Sequence, residues 1–298
     1  MESLWQDLRF AWRMLVKRPA FTLIAVLTLA LGIGINTSIF SVINSVLLKP
    51  LPYHDPEKLV TLRSNESTPD LADIGAWSQS YVSIGGIVTV PLDFTGGSEP
   101  AQWRTGLVTG GYFETLGVKP LLGRGIGYND DKEGNPFVLV LSHEVWQTQF
   151  GGNAQIIGRT FPLSGNTYTV IGVMPPSFKS PRETVEAWAP LHVVNPLAAK
   201  YRGVHFLRSY LRLKDTVTIA QAQAELQGID QRLAAAHPAE NKNRRGILFP
   251  LHDRIVGQSR NALWVLFGAV SLVLLIACVN FASLLLARAA ERDREFVI

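Results

Sequence analysis

The sequence predicts an α+β extracytoplasmic domain flanked by two transmembrane α-helices. Two long runs contain no charged residue, one between Arg18 and Lys49 and one between Arg260 and Arg288. Each run exceeds the roughly 18 apolar residues that indicate a transmembrane helix. The chain is 47% hydrophobic and only 17% charged, whereas soluble domains usually carry about 25% charged residues. The long segment between the two runs has an ordinary composition and is large enough for its own core.

Residues 1–18 are predicted to form an amphipathic helix that lies in the membrane interface. Apolar side chains recur on one helical face and basic side chains on the other, which is the pattern of an interfacial helix. The apolar face comprises Leu4, Trp5, Leu8, Trp12, Leu15 and Val16, and the basic face comprises Arg9, Arg13 and Lys17. The alternative is an amphipathic helix that packs on a soluble partner.

Residues 19–48 are predicted to form the first transmembrane helix. A stripe of small residues, Gly34, Ser38, Ser41 and Ser45, recurs at spacings of four, three and four. Because small side chains let membrane helices approach closely, the stripe predicts packing on the second transmembrane helix or on further helices. Small residues are also common in any membrane helix. A cleaved signal peptide is disfavoured because the apolar run continues far past a normal signal segment.

Residues 261–287 are predicted to form the second transmembrane helix, and the charges around both helices predict their orientation. Basic residues precede the first helix and follow the second, and positive charge marks the cytoplasmic side. These residues are Arg9, Arg13, Lys17 and Arg18 at one end and Arg288, Arg292 and Arg294 at the other. Both termini are therefore predicted to be cytoplasmic in a multi-pass inner-membrane protein. The domain of residues 49–260 then lies in the periplasm or outside the cell.

The intervening domain reads as a mixture of strands and helices. Thr218 with Gln221 forms a capping-box pattern, so a helix is predicted from Thr218 until Pro238 ends it. The turn Ser164-Gly165-Asn166-Thr167 predicts a hairpin, and His205–Leu213 alternates like a half-buried strand. The other predicted strands are 57–63, 83–95, 102–109, 137–141, 160–163, 168–173 and 246–250, and the other predicted helices are 70–79 and 143–150.

No motif in the chain indicates catalysis or cofactor binding. Ser142-His143-Glu144 has the residue types of a triad, but adjacent side chains diverge, so Ser142 is predicted instead to cap a helix. The six histidines lack metal-ligand spacing, and no P-loop motif is present. The one cysteine, Cys278, cannot form an internal disulfide. We therefore predict no enzyme activity, no cofactor and no nucleic-acid partner.

A series of short motifs follows the chain in a fixed order. They are KRPAFT (17–22), LALGIG (29–34), NT (36–37), IFSV (39–42), LKPLPY (48–53), GYFETLG (111–117), PLLGR (120–124), VIGVMP (170–175) and WAPL (188–191). Together they resemble MacB/FtsX-type ABC transporter permeases, in particular the acidobacterial duplicated orphan permease group. Residues 49–260 resemble the MacB-like periplasmic core domain of those proteins.

The resemblance implies a permease subunit that transmits the motion of a partner ABC ATPase to the periplasmic domain. Residues 288–298 would then begin a cytoplasmic coupling segment, with Glu291, Arg292, Arg294 and Glu295 at the ATPase contact. Without the resemblance, these charges would read as a solvated flank of the second helix. The implied partners are an ABC ATPase subunit, further permease helices or a second permease copy, and the lipid bilayer.

The family pattern continues with further membrane helices beyond the point where this sequence stops. The chain is therefore expected to be a truncated or partial permease that inserts and folds its outer domain but does not transport alone. The alternative function is a membrane-anchored extracytoplasmic binding or sensor module without transport activity. A membrane-tethered enzyme is a third class, but it would require convergent titratable groups that the sequence does not show.

Overall fold

The computed structural model describes Trp5, Arg9, residues 19–96 and residues 100–295, with side chains in the last segment described only as far as residue 283. The predicted interfacial helix of residues 1–18, apart from Trp5 and Arg9, lies outside the described residues. So do residues 97–99, between the predicted strands 83–95 and 102–109, and residues 296–298. The described chain divides into two compact units. We call Pro50–Ile255 the outer domain and the flanking segments the helical unit.

The helices and strands alternate irregularly along the chain, as in an α+β domain. The helices are α1 Pro19–Ile43, α2 Thr68–Trp77, α3 Tyr112–Leu116, α4 His143–Phe150, α5 Leu191–Val194, α6 Ile219–Ala236, α7 Pro238–Asn241 and α8 Leu251–Glu295. The strands are β1 Leu59–Leu62, β2 Tyr81–Phe94, β3 Ala101–Val108, β4 Leu122–Gly123, β5 Val138–Leu141, β6 Thr160–Leu163, β7 Asn166–Val173, β8 Ala187–Pro190, β9 Arg208–Leu213 and β10 Leu248–Pro250. Asn44–Leu48 continues α1 as a π-helical segment.

The strands of the outer domain form one ten-stranded sheet in the described residues, in the order β10-β1-β9-β2-β3-β8-β5-β7-β4, with β6 paired to β2 and β7. The pairs β3–β8 and β5–β7 are parallel and the others are antiparallel. Strand β8 joins the two halves because it pairs with β3 on one side and with β5 on the other. The predicted α+β domain with two long apolar helices at its ends is thus confirmed.

Local sequence signals position several elements as predicted. Ser142 caps α4 by accepting a hydrogen bond from the backbone N–H of Val145, and Trp146 on that helix is buried. Thr218 and Gln221 form the reciprocal capping box at the start of α6. The β6–β7 hairpin turns at Ser164 and Gly165, whose φ angles of 45° and 82° match a two-residue type I′ turn. The Ser142 and Thr218 side chains bond to free backbone N–H groups at the starts of helices, and Ser164 and Gly165 reverse the direction of the chain.

The strand predicted within residues 205–213 is present as β9. The prediction that it is half-buried was wrong. Strand β9 lies between β1 and β2, and every residue from Ser209 to Leu213 is buried. The hydrophobic residues of α6 pack in one cluster with Leu211 and Leu213, whereas Tyr210 belongs to a second cluster with α3. Apolar cover on both faces removes the solvent-facing side that alternation usually indicates.

The helical unit contains two segments that are long and apolar enough to cross a membrane, Thr22–Ile43 and Arg260–Ser283. Helix α8 has 45 residues, which corresponds to about 68 Å at 1.5 Å per residue. It therefore exceeds the ~30 Å hydrocarbon core of a bilayer. Its N-terminal residues Leu251–Ile255 belong to the outer domain.

Candidate functional site

Helices α1 and α8 are joined in the helical unit by a polar contact centred on Asn36. The Asn36 side-chain N–H donates to the carbonyl oxygen of Val270 at 3.3 Å and to that of Gly32 at 3.0 Å. The Ser271 hydroxyl donates to the Asn36 side-chain oxygen at 3.3 Å. One amide therefore bonds to both helices. Interhelical hydrogen bonds of this kind contribute about 0.6 kcal/mol on average in membrane proteins.

Gly32 allows the close approach of the two helices at this contact. A Cβ atom placed on Gly32 would lie 2.8 Å from Cδ1 of Leu274, which is closer than side-chain atoms normally come. The predicted packing stripe of Gly34, Ser38, Ser41 and Ser45 is instead exposed, whereas Gly32 and Asn36 are half-buried. Ser38 and Ser45 donate to carbonyl oxygens of α1 itself. The stripe stays a prediction for contacts with further helices.

A disulfide tests this helix pairing. The Cβ position of Gly32 lies 4.0 Å from Cβ of Leu274, within the 3.5–4.5 Å that a disulfide requires. In a Cys278→Ser background, the pair G32C and L274C is expected to oxidise nearly completely, as measured by protection from a maleimide-polyethylene glycol gel shift. The pair G34C and L274C is the control, since nothing lies within 4 Å of a Cβ on Gly34. Equal oxidation of both pairs would refute the pairing.

The backbone of the four predicted coupling residues, Glu291, Arg292, Arg294 and Glu295, belongs to the last turns of α8. Their side chains lie outside the described residues. Their role at an ATPase contact therefore stays a prediction.

The chain segments that connect the outer domain to α1 and α8 meet in one buried cluster, which we call the junction cluster. Leu51 and Tyr53 enter it two to four residues after Lys49, and Leu251 and Ile255 enter it from the start of α8. The Tyr53 hydroxyl donates to the carbonyl oxygen of Lys179 at 2.7 Å. Aromatic rings of Phe113, Phe178 and Trp188 fill its centre, with ring centroids 5.4–6.1 Å apart.

Arg212 fixes the first of these connecting segments. Its guanidinium group donates to the carbonyl oxygens of His54 at 2.7 Å, Asp55 at 3.3 Å and Thr115 at 2.9 Å. The residue is 9% exposed, and burial lowers the pKa of its guanidinium. Asp55 adopts a left-handed φ of 39°, a backbone conformation that surrounding structure must hold in place. We call these contacts the Arg212 clamp.

The Arg212 clamp and Asn36 were not identified from the sequence. Arg212 lies in an ordinary strand pattern. Its three acceptors are backbone carbonyl groups, which every residue has, so no sequence motif marks the contact. Asn36 carries a weak signal, because it is a strongly polar side chain within an apolar run, where such residues tend to be functional.

A second polar group of the outer domain surrounds Glu66, which is 5% exposed. Arg244 donates to its carboxylate at 2.9 Å. Burial nevertheless raises the pKa of Glu66 to about 7, and the neighbouring Asp70 and Asp230 carboxylates act in the same direction. Asp70 itself accepts hydrogen bonds from Arg202 and Asn241 and contacts His205. The described residues contain no group of three His, Cys, Asp or Glu side chains that could hold a metal ion.

The raised pKa of Glu66 predicts a pH-dependent stability. The protonated Glu66 side chain contributes on the order of 3 kcal/mol to the free energy of unfolding. This contribution is fully present below the unfolded pKa of about 4.5 and is lost as the pH rises through 7. Thermal unfolding at pH 5 and pH 8 should therefore show that E66Q gains stability relative to wild type at pH 8. The exposed Glu57 supplies the control variant E57Q. A difference between E66Q and wild type that is the same at both pH values would contradict this prediction.

Comparison with solved structures identifies the fold of the outer domain. The outer domain has the fold of two solved structures. A domain of a putative permease from Porphyromonas gingivalis matches with 14% identity and a TM-score of 0.51, over 66% of this chain and 92% of that one. The periplasmic region of MacB from Actinobacillus actinomycetemcomitans matches with 16% identity and a TM-score of 0.50, over 73% and 98%. Both structures show the same kind of fold as the outer domain.

The family follows from a direct match of the sequence. Residues 22–229 match the family model of the MacB-like periplasmic core domain. The chain belongs to this family, and the resemblance predicted from its motifs is confirmed. No curated protein matches the chain.

Proposed function

We propose that the chain is a permease subunit of an ABC transporter of the MacB/FtsX type. It transmits the motion of a cytoplasmic ATPase to the outer domain for export or mechanotransmission. Both termini lie in the cytoplasm, in accord with the basic residues that flank the two membrane helices. The ATPase binds near Glu291, Arg292, Arg294 and Glu295, and further permease helices or a second copy cover the stripe of Gly34, Ser38, Ser41 and Ser45.

The junction cluster is the observation that carries this proposal. The segments that follow α1 and begin α8 are both buried there, on the same side of the sheet as Tyr210 and α3. Protein interiors are close-packed and transmit displacement. A shift of either connecting segment would therefore act on the sheet through this cluster. The Arg212 clamp adds a charged, directional contact between the segment after α1 and strand β9.

The ATPase contact is tested by charge reversal in the coupling segment. The tagged chain, purified from membranes of its source organism, is expected to carry a P-loop ATPase that mass spectrometry identifies. The variant R292E/R294E should recover at least tenfold less ATPase, because reversed charges oppose the complementary surface. The matched control K119E/K132E reverses two exposed charges of the outer domain and should leave recovery unchanged. Recovery that is equal in both variants would refute the assigned contact.

The alternative, a membrane-anchored binding or sensor module, predicts a different result. Such a module needs no ATPase, so the intact chain would purify without one. A cavity in the outer domain gives this alternative a physical basis, although a permease subunit can carry a ligand site too.

A further inference from the structure

The outer domain contains an open cavity of about 400 Å³ beside helix α2. This volume lies within the range of about 300–1,000 Å³ that is typical of small-molecule sites. Helix α2 forms one wall, the start of β2 forms a second, and Gly110, Tyr128, Asp131 and His192 form the third. Five separate stretches of chain therefore converge on it.

The walls beside α2 and β2 are mainly apolar. Ala72 and Gly75 line the cavity from exposed positions on the helix. Val82 is 60% exposed and Tyr128 is 56% exposed, and both line it as well. Large exposed apolar side chains that gather at one concave site mark a place where an apolar ligand is covered.

The third wall contains a buried pair formed by the Asp131 carboxylate and the His192 imidazole. The Asp131 side chain is 2% exposed. Its carboxylate accepts from the backbone N–H groups of His192 at 2.7 Å and Gly110 at 3.1 Å, and it binds Nδ1 of the His192 ring at 2.9 Å. Three donors nearly fill the acceptor capacity of a carboxylate. A cationic ligand would therefore find little free acceptor at Asp131, and an anionic ligand would be repelled by it.

One nitrogen of the His192 ring is unpaired among the described residues. Its Nδ1 atom faces Asp131, and its Nε2 atom is buried with no hydrogen-bond partner among the described residues. The Thr68 hydroxyl, on another residue that lines the cavity and is 5% exposed, also has no partner in the described part of the chain. Buried polar atoms in native proteins are normally paired, so exceptions call for an explanation such as a bound molecule.

We propose that this cavity binds a neutral, mostly apolar small molecule that carries a hydroxyl group, such as a substituted phenol. The apolar body lies against Ala72, Val82 and Tyr128, and the hydroxyl group pairs with His192. A hydroxyl suits either state of the imidazole, because it accepts from a protonated Nε2 and donates to an unprotonated one. The hydrogen bond that the Asp131 carboxylate accepts raises the pKa of the His192 imidazole.

The test measures binding of 4-fluorophenol to the full chain in lipid nanodiscs by ¹⁹F line broadening. Fluorobenzene, 4-fluorobenzoate and 4-fluorobenzylamine serve as comparison probes. The variant A72F places a ring in the cavity, and A76F places the same ring at an exposed position of α2 that does not line it. Each probe partitions equally into the lipid of every variant, so its binding to the cavity is measured as the difference between wild type and A72F, and these differences are compared between probes.

The proposal expects 4-fluorophenol to bind wild type and A76F equally and A72F at least tenfold more weakly. It also expects H192A to weaken 4-fluorophenol by about tenfold and to leave fluorobenzene unchanged. Unaltered thermal unfolding of A72F shows that the variant is folded. Equal binding to A72F and A76F would overturn the site. If 4-fluorobenzoate or 4-fluorobenzylamine bound as tightly as 4-fluorophenol or more tightly, the proposed ligand class would be wrong. Neither result depends on an ATPase.

Discussion

Trp188→Ala is expected to destabilise the outer domain by about 3–5 kcal/mol, the usual cost of truncating a buried tryptophan. Trp188 is 1% exposed and its ring packs edge-on and tilted against Phe113 and Phe178 in the junction cluster. It also lies in β8, a strand that pairs with both halves of the sheet. The truncation therefore leaves a cavity at the point where both halves meet.

Denaturant unfolding of the full chain, followed by circular dichroism, measures this loss. The variant W188F should cost less than half as much, since it keeps an aromatic ring and removes an indole N–H that has no partner among the described residues. The control Y201A truncates a residue that is 58% exposed and should change stability by under about 0.5 kcal/mol. A loss for W188A no larger than that for Y201A would contradict the role of β8.

Arg212→Gln is expected to cost about 2–4 kcal/mol and to release the segment that follows α1. The substitution leaves up to three carbonyl groups without their charged donor, and such groups cost about 1–3 kcal/mol each when they stay buried. Asp55 can then leave its left-handed conformation. Hydrogen exchange followed by mass spectrometry should show faster exchange in residues 51–58 and 113–118.

The pattern of exchange separates a local clamp from general destabilisation. R212K keeps the charge but not the planar fork of donors, so it should restore protection only in part. Exchange in the β5–β7 region should match wild type in both variants. Equal acceleration across the whole outer domain, or unchanged exchange in residues 51–58, would contradict the clamp.

The parts of the fold that were predictable depend on signals within a few residues of each other. The Ser142 cap, the capping box at Thr218 and the β6–β7 turn are all local, and all appear where the sequence indicates. The apolar lengths of the two membrane helices are equally local. Such signals specify elements, and their order in the chain restricts the possible topologies.

The missed elements depend on contacts that are distant in sequence. Strand β8 reads Ala-Trp-Ala-Pro, and all four residues are buried, so it shows no alternation and ends in a proline that disfavours a strand assignment. Helix α3 has five residues and four of them are buried in the outer domain, a length at which helical periodicity cannot be recognised.

The features of the candidate site also fall into two groups, those that the sequence predicts and those that depend on contacts between distant residues. The coupling residues and the serine stripe follow from sequence pattern and family resemblance. The Asn36 contact, the Arg212 clamp and the Asp131–His192 pair each join residues far apart in the chain. Asp131 and His192 are 61 positions apart, and no spacing rule links an aspartate to a histidine at that distance. Their chemistry becomes visible only after the sheet brings the loops together.

Hydrogen exchange of the chain in its complex with the partner ATPase tests the central claim most directly. The complex would be compared in ADP and in a non-hydrolysable ATP analogue. Transmission through the junction cluster predicts that exchange changes in residues 50–58 and 251–255 between the two nucleotides, and that R212Q reduces the change in residues 50–58. Identical exchange throughout the outer domain in both nucleotides, with the ATPase bound, would contradict the proposed transmission.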